Sequence, residues 1–513
     1  MVRSLPVSLL ALAALAALGG CRPTGAGGES APEPLPARSN VLLITVDTLR
    51  ADRLGSYGYA RDTSPNLDRL AAEGVRFAEP IVQWPKTGPS FASMFTSTYP
   101  KDNRIVRRIG QPLPCRFRML AEELRDAGYA THAVVANGAL AADFYFDQGF
   151  DTYLEAWKIE PAEEGLDPIG AEQITRLAVG LLERIRTGGK PWFLWVHYVD
   201  PHFPYTPPGE WADRFQGDGL AATDRTIEVT DRPKQQMRGI GPDRVLDGRE
   251  DLAFYRARYD AEIAYNDHWI GELLAAAEER GLMERTLTVV TSDHGESLGE
   301  HEYYFDHGRF GFETCLRVPL VLHYPGVLDP GVDPAPVELV DLAPTLLEAA
   351  GVELTEGTWM QGRTLTPRLR AAAGGPVAAA GVPGTAPPAA GPDPAAAPRI
   401  AFSEAGWEAH DKWQKIARGP RYKLIYAQTR PEQQWIGGPG VRFTLYDLAR
   451  DPGETVNVAD EHPEVFEELQ RELWAWERAE RFPVAVEPAA AACGDERAME
   501  EETRKVLEAL GYL

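Results

Sequence analysis

The sequence predicts an α/β fold: a mainly parallel sheet sandwiched by helices, followed by a smaller C-terminal α+β subdomain. From Asn40 onward, short apolar runs alternate with segments of helical periodicity, which is typical of a parallel sheet covered on both faces. Two of the apolar runs, Val41 to Val46 and Thr286 to Thr291, end in polar residues. Strands of open α/β sheets end in this way at the edge where ligands bind.

The main domain is expected over residues 40–370. Pro65 suits the first turn of a helix, and Gly128 and Gly351 suit the residue that follows one. The expected helices are Leu67 to Gly74, Pro89 to Ser97, Phe117 to Ala127, Ala171 to Ile185, Leu252 to Arg280 and Leu339 to Ala350. The expected strands are the two named above, Thr131 to Ala136, Trp192 to Val199 and Val318 to His323.

The C-terminal part of the chain is expected to form a second, smaller unit. Residues 371–398 are almost all Ala, Gly and Pro, which cannot build a core, so we expect a disordered insertion there. Residues 399–480 read as a small antiparallel sheet with a helix, and residues 481–513 as a tail with a short helix near Glu501 to Leu510. The expected elements of the smaller unit are the strands Ile400 to Ser403, Trp413 to Ala417, Lys423 to Ala427 and Phe443 to Leu448, and the helix Pro463 to Arg478.

The first residues are typical of a bacterial lipoprotein signal peptide, expected over residues 1–21. Arg3 precedes an apolar run that ends in Leu18-Gly19-Gly20-Cys21, and Cys21 would become the lipidated first residue. The alternative is a plain secretory signal with an incidental cysteine. Residues 22–39 would be a solvated tether. The sequence therefore predicts an extracytoplasmic lipoprotein of the cell envelope, on the periplasmic side or in the outer membrane, attached to the membrane through Cys21.

Composition limits the possible partners. The chain has 513 residues and a formal net charge of −24, which argues against nucleic acid as a general partner. A bound cation can still make a small pocket positive for an anionic substrate. After Cys21 only Cys115, Cys315 and Cys493 remain, so at most one intrachain disulfide can form among them.

A metal site is predicted where two apolar runs end. Val41 to Val46 leads into Asp47, and Thr286 to Thr291 leads into Asp293 and His294. Such residues often only cap strands or form turns. Two carboxylates with an adjacent imidazole at one sheet edge instead favour one divalent ion, with zinc, manganese and calcium all compatible.

Five segments resemble motifs of the sulfatase family, within the alkaline phosphatase superfamily. They are N-V-L-L-I-T-V-D-T-L-R-A-D-R-L-G-S-Y-G-Y at residues 40–59, T-S-D-H-G-E-S-L-G-E-H from Thr291, R-V-P-L-V from Arg317, V-D-L-A-P-T-L-L from Val340 and L-Y-D-L-A-R-D-P-G-E-T from Leu445. They stand in the family order. The resemblance implies a sulfatase-like catalytic domain over residues 40–370, a divalent metal at Asp47, Asp293 and His294, an anionic ester substrate and a nucleophile beside the metal.

The nucleophile position departs from the family pattern C/S-x-P-x-R. The matching stretch is Thr87-Gly88-Pro89-Ser90-Phe91, so Thr87 replaces the residue that is converted to formylglycine and Phe91 replaces the Arg. Phosphoryl-handling members of the superfamily use Thr here. Pro89 suits a first helical turn, so Thr87 is expected at a helix N-terminus, where unpaired amides and a metal would favour its alkoxide. The alternative is that Thr87 only caps the helix.

Thr87 favours phosphorus over sulfur on mechanistic grounds. A formylglycine hydrate can release sulfate by elimination, whereas a sulfated Thr has no such exit. A phosphorylated Thr can be released by water attacking phosphorus in line. We therefore expect the Thr87 hydroxyl to lie close to the metal and to the carboxylates of Asp47 and Asp293.

Further site residues come from the same resemblance. His202, in H-Y-V-D-P-H-F-P-Y, resembles the family histidine that holds the ester or protonates the leaving group. His307, in F-D-H-G-R, resembles a second contact to the substrate anion. His301 and Lys101 are further candidates for substrate binding, although the usual His neighbour of Lys101 is missing. For any one histidine, a structural role is the commoner one.

The sequence as a whole predicts metal-dependent hydrolysis of an anionic ester through a covalent intermediate on Thr87, with phosphoryl or phosphonyl substrates preferred. Three alternatives remain open: a sulfuric ester hydrolase despite Thr87, a phosphoethanolamine-type transferase, and a non-catalytic relative that kept the metal. The absence of the transferases' usual multi-span anchor counts against the second.

Overall fold

The protein is described from a computed structural model, which covers residues 38–106, 109–161, 163, 165–217, 225–231, 236–372, 399–406, 413–427, 442–479 and 497–512. The predicted signal peptide, the tether up to residue 37 and the insertion from residue 373 lie outside the described residues. Within them, no helix combines the length and apolarity needed to cross a bilayer. Cys115 is disulfide-bonded, and Cys315 is a buried free thiol.

A large sheet of eight strands forms the centre of the described chain. Its strands are β1 (Asn40–Val46), β2 (Val75–Ile81), β3 (Ala130–Val135), β4 (Thr152–Glu155), β5 (Trp192–Tyr198), β6 (Thr286–Thr291), β9 (Leu320–His323) and β10 (Gly331–Glu338), while β7 (Ser297–Leu298) and β8 (Tyr304–Asp306) form a separate ribbon. The spatial order is β10-β2-β9-β6-β1-β5-β3-β4, and only β9 runs antiparallel to its neighbours. This confirms the predicted mainly parallel sheet.

The helices of the main domain are α1 (Pro65–Glu73), α2 (Thr87–Thr96), α3 (Pro100–Asn103), α4 (Leu120–Asp126), α5 (Ala171–Gly188), α6 (Leu252–Glu279), α7 (Glu313–Leu316), α8 (Leu342–Ala350) and α9 (Thr366–Ala372). The main ones form two groups, and the helices of each group pack on one another. One group contains α1, α5 and α6, and the other contains α2, α4 and α8. The central strands β1, β5 and β6 are buried along almost their whole length, because helices cover both faces of the sheet.

The C-terminal unit contains the predicted antiparallel sheet, in the order β11-β12-β13-β14. Its strands are β11 (Ala401–Gly406), β12 (Trp413–Arg418), β13 (Tyr422–Ala427) and β14 (Phe443–Asp447), and its helix α10 spans Pro463–Arg478. The last helix, α11 (Glu501–Ala509), does not pack on this sheet. It lies on the main domain, against the short turns Gly138–Leu140 and Ala156–Lys158.

Three strands of the large sheet were not predicted: β2, β4 and β10. β10 contains Pro334 and Pro336, and β2 contains Arg76, Glu79 and Pro80. These residues interrupt the apolar pattern by which a strand is recognised in a sequence. Proline is tolerated in β10 because this strand lies at the edge of the sheet, with β2 as its only neighbour. Residues 371 and 372, which were predicted to start the insertion, instead complete α9.

Two neighbouring carboxyl groups, the partly buried Asp200 and the buried Glu262, link the loop after β5 to helix α6. Asp200 follows β5 and accepts a hydrogen bond from the Ala171 amide at 2.9 Å, while Asn266 of α6 donates to its carbonyl at 2.6 Å. Burial raises the pKa of Glu262 in α6 well above its usual range, and the charge of Asp200 raises it further. Glu262 is therefore held in its neutral form near pH 7.

We expect Glu262→Gln to make the protein more stable than wild type at pH 8. In the unfolded chain Glu262 loses its proton above about pH 4.3, but in the folded protein it keeps it, so wild-type stability falls as the pH rises through this window. Gln mimics the protonated acid. Urea unfolding should show similar stabilities at pH 4.5 and an advantage for the variant on the order of 1 kcal/mol or more at pH 8.

The matched control for this prediction is Glu272→Gln, on the exposed face of the same helix. It should follow wild type at every pH, because surface substitutions away from buried groups change stability little. A Glu262→Gln variant that loses stability as steeply as wild type between pH 4.5 and pH 8 would contradict the buried neutral acid.

Candidate metal and ester site

The ends of β1 and β6 bring two carboxylates together. In the parallel pairing of these strands Thr45 stands opposite Thr291, and Asp47 and Asp293 each follow two residues later. Both side chains are fully buried. Ser292 joins the two strand ends, since its hydroxyl accepts from the Leu49 amide at 3.1 Å. The predicted convergence of the two strand ends is therefore present.

The donor set fits one divalent cation. Ligand atoms of Asp47, Asp293 and His294 all lie within 4.8 Å of one another. His294 Nε2 is 3.3 Å from Asp293 Oδ2 and 3.8 Å from Asp47 Oδ1, and ligands of one ion lie roughly 3 to 4 Å apart. These two carboxylate oxygens accept no hydrogen bond from any described residue. A buried carboxylate oxygen without a donor is costly, and a cation would satisfy it.

His294 is oriented as a ligand. Its Nδ1 lies 2.9 Å from the carbonyl oxygen of Gly295, which can only accept, so Nδ1 carries the proton. Nε2 then presents its lone pair to the carboxylates and to Thr87. A backbone carbonyl commonly fixes the tautomer of a metal-binding histidine in this way.

The two carboxylates repel each other. Burial and, after it, the charge of Asp47 raise the pKa of Asp293 to about 6. Burial opposes ionisation of Asp47 as well, but the neighbouring imidazoles of His197, His202 and His294 outweigh burial and lower the pKa of Asp47 to about 2. A divalent ion between the carboxylates would remove this repulsion.

Thr87 is the first residue of α2, and its hydroxyl faces the donor set. Lys86 occupies the capping position, and no side chain caps this helix. Thr87 Oγ1 lies 3.3 Å from His294 Nε2, and Thr87 is only 2% exposed. Ser90, one turn later, donates to the Asp293 carbonyl at 2.6 Å and so fixes the helix against the loop. Thr87 therefore lies one residue inside the capping position, with its hydroxyl towards His294.

His202 and His307 lie beside the donor set. The ring centroids of His294 and His307 are 4.1 Å apart, and those of His202 and His307 are 5.3 Å apart. His202 Nδ1 donates to the carbonyl of Phe203 at 2.7 Å, and His307 Nδ1 lies 3.4 Å from Glu296 Oε1. Each ring would therefore contact an ester through Nε2.

Two predicted substrate-binding residues are not brought to this cluster. The Lys101 ammonium pairs with Asp102 at 2.7 Å and lies over the Trp476 ring, because α3 faces the C-terminal unit. His301 stacks on Phe312 with ring centroids 3.8 Å apart. Its φ of 54° places it in a left-handed turn between β7 and β8, which carries the ring away from His294. Both assignments are corrected accordingly.

Three residues of the site were not assigned a role from the sequence. Asn137 Nδ2 donates to Asp47 Oδ2 at 2.6 Å, and His197 Nε2 lies 3.7 Å from the same oxygen. Asn137 follows β3, so the rule that identified Asp47 and Asp293 would have found it. His197 lies inside an otherwise apolar strand. The third is Tyr512, whose hydroxyl forms a hydrogen bond of 3.1 Å with Thr87 Oγ1. No pattern in the sequence pointed to this residue.

Fold and site together define an ester hydrolase of the alkaline phosphatase superfamily. Residues 39–352 match the sequence profile of the family described as Sulfatase. The chain belongs to the sulfatase family.

Relatives in this family include proteins with different named activities. Iduronate 2-sulfatase of Mus musculus is 28% identical over 398 residues, covering 64% of this chain and 71% of that protein. The multifunctional alkaline phosphatase superfamily protein PehA of Trinickia caryophylli is 26% identical over 406 residues, covering 65% and 77%. The structure of the phosphonate monoester hydrolase of Agrobacterium radiobacter superposes with a TM-score of 0.63 at 23% identity, covering 86% of this chain and 96% of that one.

We expect His294→Gln to lose divalent metal and His301→Gln to keep it. Both histidines belong to one motif, but only His294 Nε2 faces the two carboxylates. The metal retained after dialysis is measured by inductively coupled plasma mass spectrometry. We expect His294→Gln to bind the metal at least about 100-fold more weakly than wild type and so to retain much less of it. A chelator should lower the unfolding temperature of wild type and of His301→Gln. Equal metal retention in the two variants would exclude His294 from the ligand set.

Proposed function

We propose that this protein is a metal-dependent hydrolase of phosphoric or phosphonic esters that acts through a covalent intermediate on Thr87. The observation that carries the proposal is the position of the Thr87 hydroxyl, 3.3 Å from His294 Nε2 and unused as a helix cap. A threonine that only supported the helix would have no reason to face a pair of buried carboxylates. Its place at the start of α2 also puts its oxygen beside unpaired backbone amides, which favour negative charge.

Each residue of the cluster has a part in the proposed reaction. Thr87 attacks the ester phosphorus and later leaves it when water attacks. His202 Nε2 gives a proton to the leaving oxygen, and His307, held by Glu296, contacts the oxygens of the transferred group. A divalent cation held by Asp47, Asp293 and His294 would favour the alkoxide of a hydroxyl beside it and neutralise charge on the ester.

The preference for phosphorus follows from Thr87 itself. A covalent sulfate on threonine could leave only by direct attack of water on sulfur, whereas a phosphorylated threonine is released by in-line attack on phosphorus. Support also comes from the fold of the phosphonate monoester hydrolase, which this chain shares, and from the relative described as multifunctional. The named sulfatase relatives favour sulfate esters, so the two classes of substrate must be compared directly.

We further propose that the protein works at the cell envelope, attached by lipid at Cys21. The support is the sequence of residues 1–21, which lies outside the described residues. Labelling with a radioactive fatty acid in a bacterial host, with Cys21→Ser as the control, tests this directly.

We expect Thr87→Ala to lose at least about 1,000-fold in kcat, because removing the nucleophile leaves only binding and electrostatic effects. The assay compares an aryl sulfate, a phosphate monoester, a phosphodiester and a phosphonate monoester, each with added zinc, manganese or calcium. Wild type should turn over the phosphorus esters faster than the sulfate. Acid quench during turnover should trap the transferred group on the peptide that contains Thr87.

Ser93→Ala is the matched control, since Ser93 lies in the same helix and its buried hydroxyl makes no hydrogen bond to a described residue. It should keep wild-type kcat and metal content. An active Thr87→Ala variant would refute the covalent route, and faster turnover of the aryl sulfate would refute the preference for phosphorus.

A further inference from the structure

The last described residue, Tyr512, reaches the site from the far end of the chain. Its hydroxyl lies 3.1 Å from Thr87 Oγ1, and its ring stacks on His202 with centroids 5.2 Å apart and an interplanar angle of 22°. Tyr512 is 8% exposed. Of the two hydrogen-bond partners recorded for Thr87 Oγ1 among the described residues, His294 belongs to a family motif and Tyr512 does not.

Helix α11 holds Tyr512 in place. A Cβ on Gly138 would lie 2.6 Å from Val506 and 3.0 Å from Leu507, so only glycine allows the helix to pack this closely on the turn beside Asn137. Leu507 is fully buried there. At the start of the segment the Glu500 amide donates to Asp143 at 2.9 Å. The position of Tyr512 is thus set by docked structure on both sides of the helix.

Donor and acceptor chemistry fixes the direction of the hydrogen bonds. Asn137 Oδ1 accepts from the Ala139 amide at 2.9 Å, which orients the amide group. Asn137 Nδ2 therefore donates, to Asp47 Oδ2 at 2.6 Å and to Tyr512 Oη at 2.9 Å. Tyr512 Oη accepts from Asn137 and can donate its own proton to Thr87 Oγ1, 3.1 Å away.

We propose that Tyr512 is a further catalytic residue, whose hydroxyl donates a hydrogen bond to Thr87 Oγ1. This inference rests on the proposed function, because it gives the hydroxyl a reacting atom to act on. Negative charge develops on Thr87 Oγ1 when it attacks and again when it leaves. A hydrogen bond to a charged oxygen is stronger than one to a neutral oxygen, so the donor stabilises both transition states.

The chemistry balances without any proton transfer from Tyr512. In the first step the bond from Thr87 Oγ1 to phosphorus forms, the bond from phosphorus to the leaving oxygen breaks, and the Thr87 proton ends on the leaving alcohol. In the second step water attacks phosphorus, the bond to Thr87 Oγ1 breaks, and a proton from water returns to Thr87. Tyr512 keeps its proton throughout, and an alkoxide oxygen has lone pairs enough for both a donor and the attack.

The test compares Tyr512→Phe with wild type in the full-length, metal-loaded protein, using whichever ester of the panel wild type hydrolyses fastest. Phe keeps the ring on His202 and removes only the donor. We expect kcat to fall about 100-fold or more, as for loss of one donor to a developing oxyanion. KM, metal content and unfolding temperature should stay at wild-type values. If Tyr512 only supported the structure, a loss of kcat would be accompanied by a change in at least one of these three quantities. Lys505→Ala, on the exposed face of α11, should match wild type in all four.

The outcomes separate this inference from the proposed function. If Thr87→Ala is inactive and Tyr512→Phe is as active as wild type, the inference fails and the nucleophile stands. If Tyr512→Phe and Tyr512→Ala are both faster than wild type, the ring blocks the substrate and the inference fails in a different way. If Thr87→Ala remains active, the proposed function fails and the role of Tyr512 fails with it.

Discussion

The pairing of β1 with β6 is the constraint on which the site depends. The register that puts Thr45 opposite Thr291 sends Asp47 and Asp293 into one buried space, where they repel each other. Two buried carboxylates are costly unless positive charge compensates them. The imidazoles of His197, His202 and His294 lower the pKa of Asp47, but Asp293 still titrates near 6, so compensation within the chain is incomplete. A divalent cation would complete it and would link the stability of this sheet edge to metal binding.

The proposed nucleophile, Thr87, depends on the same sheet edge through helix α2. Ser90 bonds the Asp293 carbonyl and Thr87 faces His294, so the helix start is positioned by the loop that carries two of the three candidate ligands. The Thr87 hydroxyl and the candidate ligands Asp293 and His294 are therefore held in one arrangement. The motif that follows β6 would thus position both a bound cation and the group proposed to attack beside it.

The sequence predicted those parts of the protein in which local pattern and chemistry agree. Buried strands that end in acidic residues located Asp47 and Asp293, and Pro89 located the start of the helix that carries Thr87. The sequence did not predict where long side chains point: Lys101 turns to Asp102, and His301 turns to Phe312 through a left-handed turn. Such orientations are decided by packing partners far away in the chain, and no periodicity records them. The contact of Tyr512 with Thr87, across 425 residues, is of the same kind.

Replacement of the family's Arg by Phe91 changes how the site obtains positive charge. Phe91 is fully buried, and its ring meets Trp195 and His197 at centroid distances of 5.1 Å each, so it supports the back of the site without charging it. The Lys101 ammonium forms an ion pair with Asp102. Lys86, directly before Thr87, donates to the Gly406 carbonyl at 3.1 Å. An anionic ester would draw part of its attraction from the proposed cation, and hydrogen-bond donors such as Tyr512 would take over part of the stabilisation that a guanidinium otherwise provides.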